Sequence, residues 1–495
     1  VTSCAPGGEQ SIETEDLEGF LAMVEEENKK DGPVIYSASW ISSNFITYDS
    51  QKVIADYGTR YTLKSLERSR QASTFDNLKT TPENERMLEI LKSSFVMPPP
   101  LDESLASELS EISTGLEAMY GAGEHCYEDG SCYDLEAFEF IIDNSRNPEE
   151  LLKAWNGWHE IGKPMKPMYM RMVEIGNKGS KDLGYDGLSD LWFSKYDMPA
   201  EDFLYETDRV WEEVKPLYDA LHCHVRAKLN EHYGDEVVPD SGTLPVHLLG
   251  NMWGQSWSNI YDLVYTEQSK SNSVDVTKII QDKEINEIEM VEYAEDFFIS
   301  IGFEPLPKTF WERSLFVKPR DRSVVCHASA WNLDPANNDL RIKMCIQRNE
   351  EDFITIHHEL GHIFYYQAYN NLPTLFQGGA NDGFHEAFGD LLTLSITPDY
   401  LTQIDFISEE EASLAKEDPI GLLMKQALEG IVVVPWALML DKWRSGVFNG
   451  DIKEDELNSS WWELRKEYQG ISTSEERSEE YFDPGAKYHI PGNTP

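Results

Sequence analysis

Apolar residues recur at intervals of three and four along most of the chain, the spacing that gathers them on one face of a helix. In "TEDLEGFLAMVEEENKK" acids stand early and lysines late, which complements the helix dipole. "DFLYETDRVWEEVKPLYDALHCHVRAKLNEHYG" and "EINEIEMVEYAEDFFISIGF" repeat the pattern and each ends near a glycine, where helices commonly stop. Strand signals are few. "RSVVCHASAW" followed by "LRIKMCI", with Asp, Pro and Asn residues between them, predicts one hairpin. "MPPPLDES" and "EPLPKTFW" read as loops between helices. No repeat and no long Gly/Ser-rich or Pro-rich linker divides the chain. The pattern predicts one large, mostly helical body, and leaves open whether two lobes lie within it.

Composition narrows the picture. At 495 residues, with 40% hydrophobic and 12% aromatic content, the chain has the means to build a large core. Its 42 basic and 89 acidic residues give a net charge of −47, spread along the whole sequence. Phosphates need Lys and Arg, so a nucleic-acid partner is excluded. No uninterrupted apolar run approaches the ~20 residues that span a bilayer. The sequence opens on Val1 rather than methionine, so any targeting signal is expected to be removed or not included.

Six cysteines are present. Cys126 and Cys132 flank the turn sequence "YEDGS", and Cys326 and Cys345 bracket the predicted hairpin. Two such local pairs point to an oxidising compartment, although six cysteines allow fifteen pairings and the sequence selects none. Cys4 follows "VTS", which resembles the lipobox of bacterial lipoproteins; the alternative is a leftover cysteine in a disordered terminal segment, residues 1–12. Cys223, in "LHCHVRAKL", is expected to be a buried helix thiol.

The chemistry concentrates in "FITIHHELGHIFYYQ". His358 and His362 lie four apart and therefore share a helix face. Two imidazoles so placed can ligate one Zn²⁺, with Glu359 beside the ion and free to act as a base. His357 lies ~100° further round and is expected to be a structural neighbour. Downstream, "GGANDGFHEAFGDLLTLS" sets Glu386 and Asp390 four apart on a second helix. A catalytic zinc needs a third protein ligand and one open position. Glu386 can supply the ligand, and Asp390 can hold the spare N–H of a ligating histidine. The chemistry this predicts is hydrolysis, most often of a peptide bond, in which Glu359 moves the proton.

The motifs "VCHASAWN", "HHELGHI" and "GANDGFHEAFGD" resemble the angiotensin-converting-enzyme family of zinc peptidyl-dipeptidases. "HLLGNMWGQSWSNIYDLV", "WWELRKEYQG" and "FDPGAKYHIP" extend the match across nearly the whole chain in family order. The resemblance implies a mainly α, zincin-like helical ellipsoid with a deep central cleft and little sheet, formed here by a single domain over residues 13–495. It implies zinc ligands His358, His362 and Glu386, base Glu359, and Asp390 behind the metal. His327 and His489 match the histidines that bind substrate carbonyls. Ala328 and Ala330 match the edge strand that pairs with substrate backbone. Lys487 matches the lysine that receives a free C-terminal carboxylate, and Gln281 the glutamine that shares it. A cation at a fixed distance from zinc measures two residues from the chain end.

Two departures bear on this. The family continues past "HIPGNTP" with two tyrosines and a chloride-binding arginine, so the resemblance implies a domain missing its C-terminal portion. Trp461 and Arg465 match residues of the other chloride site, but Phe193 stands where the family commonly has an arginine. The expected protein is an extracytoplasmic zinc peptidyl-dipeptidase acting on peptides with a free C-terminal carboxylate. A carboxypeptidase removing single residues and a non-catalytic receptor are the competing readings. "NSS" at Asn458 is a glycosylation sequon.

Overall fold

The computed structural model describes residues 14–265, 274–417 and 419–493. Cys4 and the segment before residue 13 therefore lie outside the described residues. Helices dominate, and the three sheets among the described residues have two strands each. The first predicted helix runs further than its amphipathic stretch, from Thr14 to Asn44 with Pro33 inside it. The second, Ala200–Tyr233, stops where Gly234 turns to a φ of 82°. The third, Glu287–Ser300, opens on a capping box in which Asn286 and Glu289 satisfy each other's backbone N–H groups.

The hairpin forms, but later in the sequence than its apolar run begins. Ser329–Asp334 pairs antiparallel with Asp339–Lys343, Ala330 opposite Ile342. Residues 324–328 stay out of the ladder because a side chain takes its place. The buried Lys343 ammonium donates to the carbonyls of Val325 (2.6 Å) and His327 (2.9 Å). A disulfide joins Cys326 to Cys345 across the same junction, and a second joins Cys126 to Cys132. Cys223 departs from expectation: it is exposed, because Leu221, His222 and Val225 take the buried face of its helix.

Buried apolar residues form two large clusters. One is rich in tryptophan and gathers Trp155, Trp158, Trp257, Trp436 and Trp443. The other packs Phe298, Phe310, Phe353 and Phe364 with the hairpin residues Leu340 and Ile342. Helix Val432–Asn449 continues helix Pro419–Gln426 through a π-turn at Ala427–Ile431. The continuous stretch Ile420–Asn449 is thus long and apolar enough to cross a membrane by length and composition, although no such uninterrupted run is visible in the sequence. Met439, Trp443 and Val447 bury one face of it in the tryptophan-rich cluster.

Candidate metal centre and active site

The histidine helix, Glu350–Tyr369, opens on Asn349, whose side chain accepts from the Asp352 N–H, and carries three acids in its first turn. Phe353, Ile356, Leu360, Ile363 and Phe364 anchor it in the phenylalanine-rich cluster. His357 belongs to that buried side. Its Nδ1–H donates to the Phe353 carbonyl, Nε2 accepts from the Tyr400 hydroxyl, each at 2.8 Å, and burial pushes the ring down to about 4.

The carboxylate helix, Asp382–Thr393, starts at Asn381, which accepts from the Phe384 N–H. It crosses the histidine helix at two glycines: a Cβ on Gly361 would stand 2.9 Å from the Gly389 Cα. That close approach lets Glu386 reach both histidines. His358 Nε2 and His362 Nε2 face each other at 3.1 Å, with Glu386 oxygens 3.3 and 3.7 Å away. Ligands of a tetrahedral zinc at about 2.0–2.1 Å stand roughly 3.3 Å apart, so these separations suit one ion. His358, His362 and Glu386 also form the one ligand cluster of this kind found among the described residues.

The backing hydrogen bonds fix the tautomers that a metal needs. His358 Nδ1–H donates to Asp390 at 2.9 Å. His362 Nδ1–H donates to His385 Nδ1 at 3.0 Å, and His385 Nε2–H donates to the Tyr369 hydroxyl at 3.0 Å. In both rings Nε2 is the nitrogen that faces Glu386. The electrostatics also call for a cation. Burial opposes charge on His358, yet Asp390 and Glu386 outweigh it and push the ring up to about 10. Burial and the neighbouring His358 push His362 down to about 4.

Glu359 is buried, and its Oε2 has no hydrogen-bond partner. Burial pushes it up to about 7; Glu386 adds to the rise, while His358 and Lys343 oppose it. The carboxylate is thus poised near neutrality beside the ligand cluster.

The remaining predicted residues divide. His327 stacks on Tyr488 at 4.6 Å and lies 5.3 Å from His489, which joins the hairpin to the C-terminal segment. Burial, with Lys487 and Lys343 nearby, holds His327 down at about 3. His489 Nδ1 is buried without a partner. Ala330 lies in the strand Ser329–Asp334 and Ala328 just before it, and the far edge of that strand pairs with no other strand among the described residues. Lys487 is 4% exposed, its ammonium 4.1 Å from the Trp253 ring. Gln281 is exposed on helix Val276–Asp282, and no hydrogen bond among the described residues joins it to Lys487.

Arg465 is buried in the π-turn Arg465–Gln469. It donates to Gln469 Oε1 and to the Trp253 carbonyl, beside the rings of Trp461 and Trp462. Phe193 stacks on Phe203 at 4.9 Å. Asn458 is fully buried and donates to the carbonyls of Arg477 and Ser478, so its sequon is not open to glycosylation in the folded chain.

Sequence reasoning missed His385 and Tyr369. His385 directly precedes Glu386, and that adjacency was the available signal; only the helix crossing reveals its contact with His362.

A family model described as angiotensin-converting enzyme matches residues 11–495. Angiotensin-converting enzyme of Bos taurus is 39% identical over 464 residues, covering 92% of this chain and 35% of that protein. The Oryctolagus cuniculus enzyme is 42% identical over 392 residues, 78% of this chain and 30% of its own length. That of Theromyzon tessulatum is 36% identical over 473 residues, 90% of this chain and 75% of its own. The chain thus spans about a third of the length of these mammalian relatives. With its two-histidine, one-glutamate cluster set between paired helices, the chain belongs to the angiotensin-converting enzyme family.

Proposed function

We propose that this protein is an extracytoplasmic zinc peptidyl-dipeptidase, releasing dipeptides from the free C-terminus of peptides. The observation that carries the reading is a buried, unpartnered Glu359 carboxylate beside three converging ligands, His358, His362 and Glu386. His358, His362 and Glu386 would hold zinc, which would supply polarisation of a peptide carbonyl and acidification of a water to a pKa of about 7. Glu359, its Oε2 left without a partner, takes a proton there and returns it to the departing amine. Asp390 and His385 keep the ligating rings oriented.

The edge at Ala328 and Ala330 pairs with no further strand among the described residues and offers backbone groups to an extended peptide, although the two carbonyls already accept from His327 and Tyr366. His489, kept neutral by burial, offers a ring N–H to a substrate carbonyl, and His327, whose Nδ1–H is taken by the Ala328 carbonyl, lies beside it. Lys487 receives the terminal carboxylate. Two disulfides fit an oxidising compartment. The test incubates the full-length protein with an N-blocked peptide, either free or amidated at its C-terminus, and identifies products by mass spectrometry. Dipeptide release from the free acid alone, abolished by chelation, is expected. Single-residue release would make the protein a carboxypeptidase, and absence of cleavage despite bound zinc would make it a binding scaffold.

A further inference from the structure

The strand Ser329–Asp334 is tied to the histidine helix at two points, and the two ties share one spacing. The Tyr366 hydroxyl donates to the Ala330 carbonyl at 3.3 Å, and the Asn332 amide donates to Asn370 Oδ1 at 2.8 Å. Two residues of strand advance about 6.6 Å and four residues of helix about 6 Å. Strand and helix therefore run side by side in step, Ala330 with Tyr366 and Asn332 with Asn370. One step earlier in this register come Ala328 and His362, a proposed metal ligand. Tyr366 itself continues the stripe of His358 and His362 by one more turn. Its ring lies 5.1 Å from that of His385, and Glu359 and Glu386 are within electrostatic reach of its hydroxyl.

The orientation of Ala330 gives the tie its meaning. Ala330 stands opposite Ile342. The Ile342 N–H donates to Ser314 Oγ at 3.1 Å, and its carbonyl accepts from the Leu315 N–H at 3.0 Å. Both backbone groups of Ile342 thus point away from the partner strand, so the pair exchanges no hydrogen bonds. The N–H and C=O of Ala330 then face the free edge, where an extended peptide adds. A carbonyl oxygen has two lone pairs, so Ala330 can keep Tyr366 and accept a peptide N–H as well. His489 lies 5.3 Å from His327, at the opposite end of this edge from Ala330. With the terminal carboxylate at Lys487 as proposed above, Ala330 meets a residue upstream of the scissile bond.

We propose that Tyr366 is a positioning residue for the upstream part of the substrate. Its hydroxyl locks the docking edge to the helix that carries His358, Glu359 and His362, and so sets the register of the bound peptide against the metal centre. It acts through Ala330. This rests on the peptidase reading above and deepens it: the preferred substrates are peptides with several residues before the scissile bond.

The test uses the zinc-loaded full-length protein and its Y366F variant, which loses one oxygen and keeps the ring. Two N-blocked peptides share the scissile bond and the final dipeptide, but one carries a single upstream residue and the other several. For the longer peptide, KM is expected to rise in Y366F by roughly two- to tenfold, the worth of one neutral hydrogen bond. For the shorter peptide KM should change less than about twofold, with kcat and zinc content retained. A Y366F enzyme with the wild-type length preference overturns the inference. An equal rise for both peptides overturns it too, because a merely structural role would act on both. A second measurement needs no variant: upstream residues are N-methylated one at a time, each removing one amide proton. Only every second amide faces the edge, so KM for the unmutated protein should rise at alternate positions; equal effects at neighbouring positions overturn the register. If the wild type cleaves neither peptide, the peptidase reading fails instead, and the two failures are distinguishable.

Discussion

The crossing of the histidine and carboxylate helices is the tightest contact in the metal centre, and a single methyl group tests it. A Cβ on Gly389 would stand 2.7 Å from His358 Nδ1, 2.9 Å from Cε1 and 3.0 Å from Cγ. Ordinary contact begins near about 3.5 Å, so the ring or the helix must give way by roughly 0.5–1 Å. Zinc sites tolerate errors of only about 0.2 Å in ligand distance. The same movement strains the 2.9 Å bond to Asp390. G389A is therefore expected to lose roughly ten- to hundredfold in zinc affinity, the range seen when a ligand's supporting contacts are lost. Overpacking should cost about 1–3 kcal/mol of stability. The assay is zinc competition against a chromogenic chelator, with circular dichroism confirming that the helices remain. Wild-type zinc affinity in a folded G389A would refute the reasoning.

Three further outcomes are expected. D390N leaves His358 Nδ1–H with a weaker, neutral acceptor, so zinc affinity should fall about tenfold or more while the melting profile changes little; equal affinity by chelator competition would count against Asp390. Burial pushes Lys487 down to about 7, opposed by Glu139 and Glu351, so its folded pKa lies below the unfolded value. The charge proposed to receive the carboxylate is present below about pH 7 and lost above it. Hence kcat/KM for a free-acid peptide should fall about tenfold per unit above that point, and K487M should lack this limb. The same sign makes the unfolded state bind more protons between about pH 7 and 10.4, so Lys487 costs stability at low pH and the cost fades as pH rises; a urea series at two pH values, with K487M as reference, measures it. Gly19 lies exposed inside the first helix with open space around it. G19A should therefore stabilise by about 0.5–1 kcal/mol, read from the urea midpoint.

Local pattern carried the helical architecture because each long helix buries one continuous stripe. It brought His358 and His362 together for the same reason, since a spacing of four fixes a shared face whatever lies opposite. Contacts made across the fold were not legible. His385 is an ordinary residue in sequence, and becomes a support for His362 only because two glycines let their helices touch. Residues 324–328 read as strand, yet the Lys343 side chain takes the place of a neighbouring strand there. Cys223 looked like a core thiol because it is small and apolar, but its helix face is set by Leu221, His222 and Val225. Asn458 matched a surface sequon and is instead tied inward through Asp483 and the Arg477 carbonyl.

The central claim is that Glu359 moves the proton while His358, His362 and Glu386 hold the metal. Its most direct test is the zinc content and peptide turnover of E359Q beside the wild type. The account predicts about one zinc per chain in both proteins and a fall in turnover of at least roughly a hundredfold in E359Q. Turnover surviving the substitution with zinc in place would contradict it.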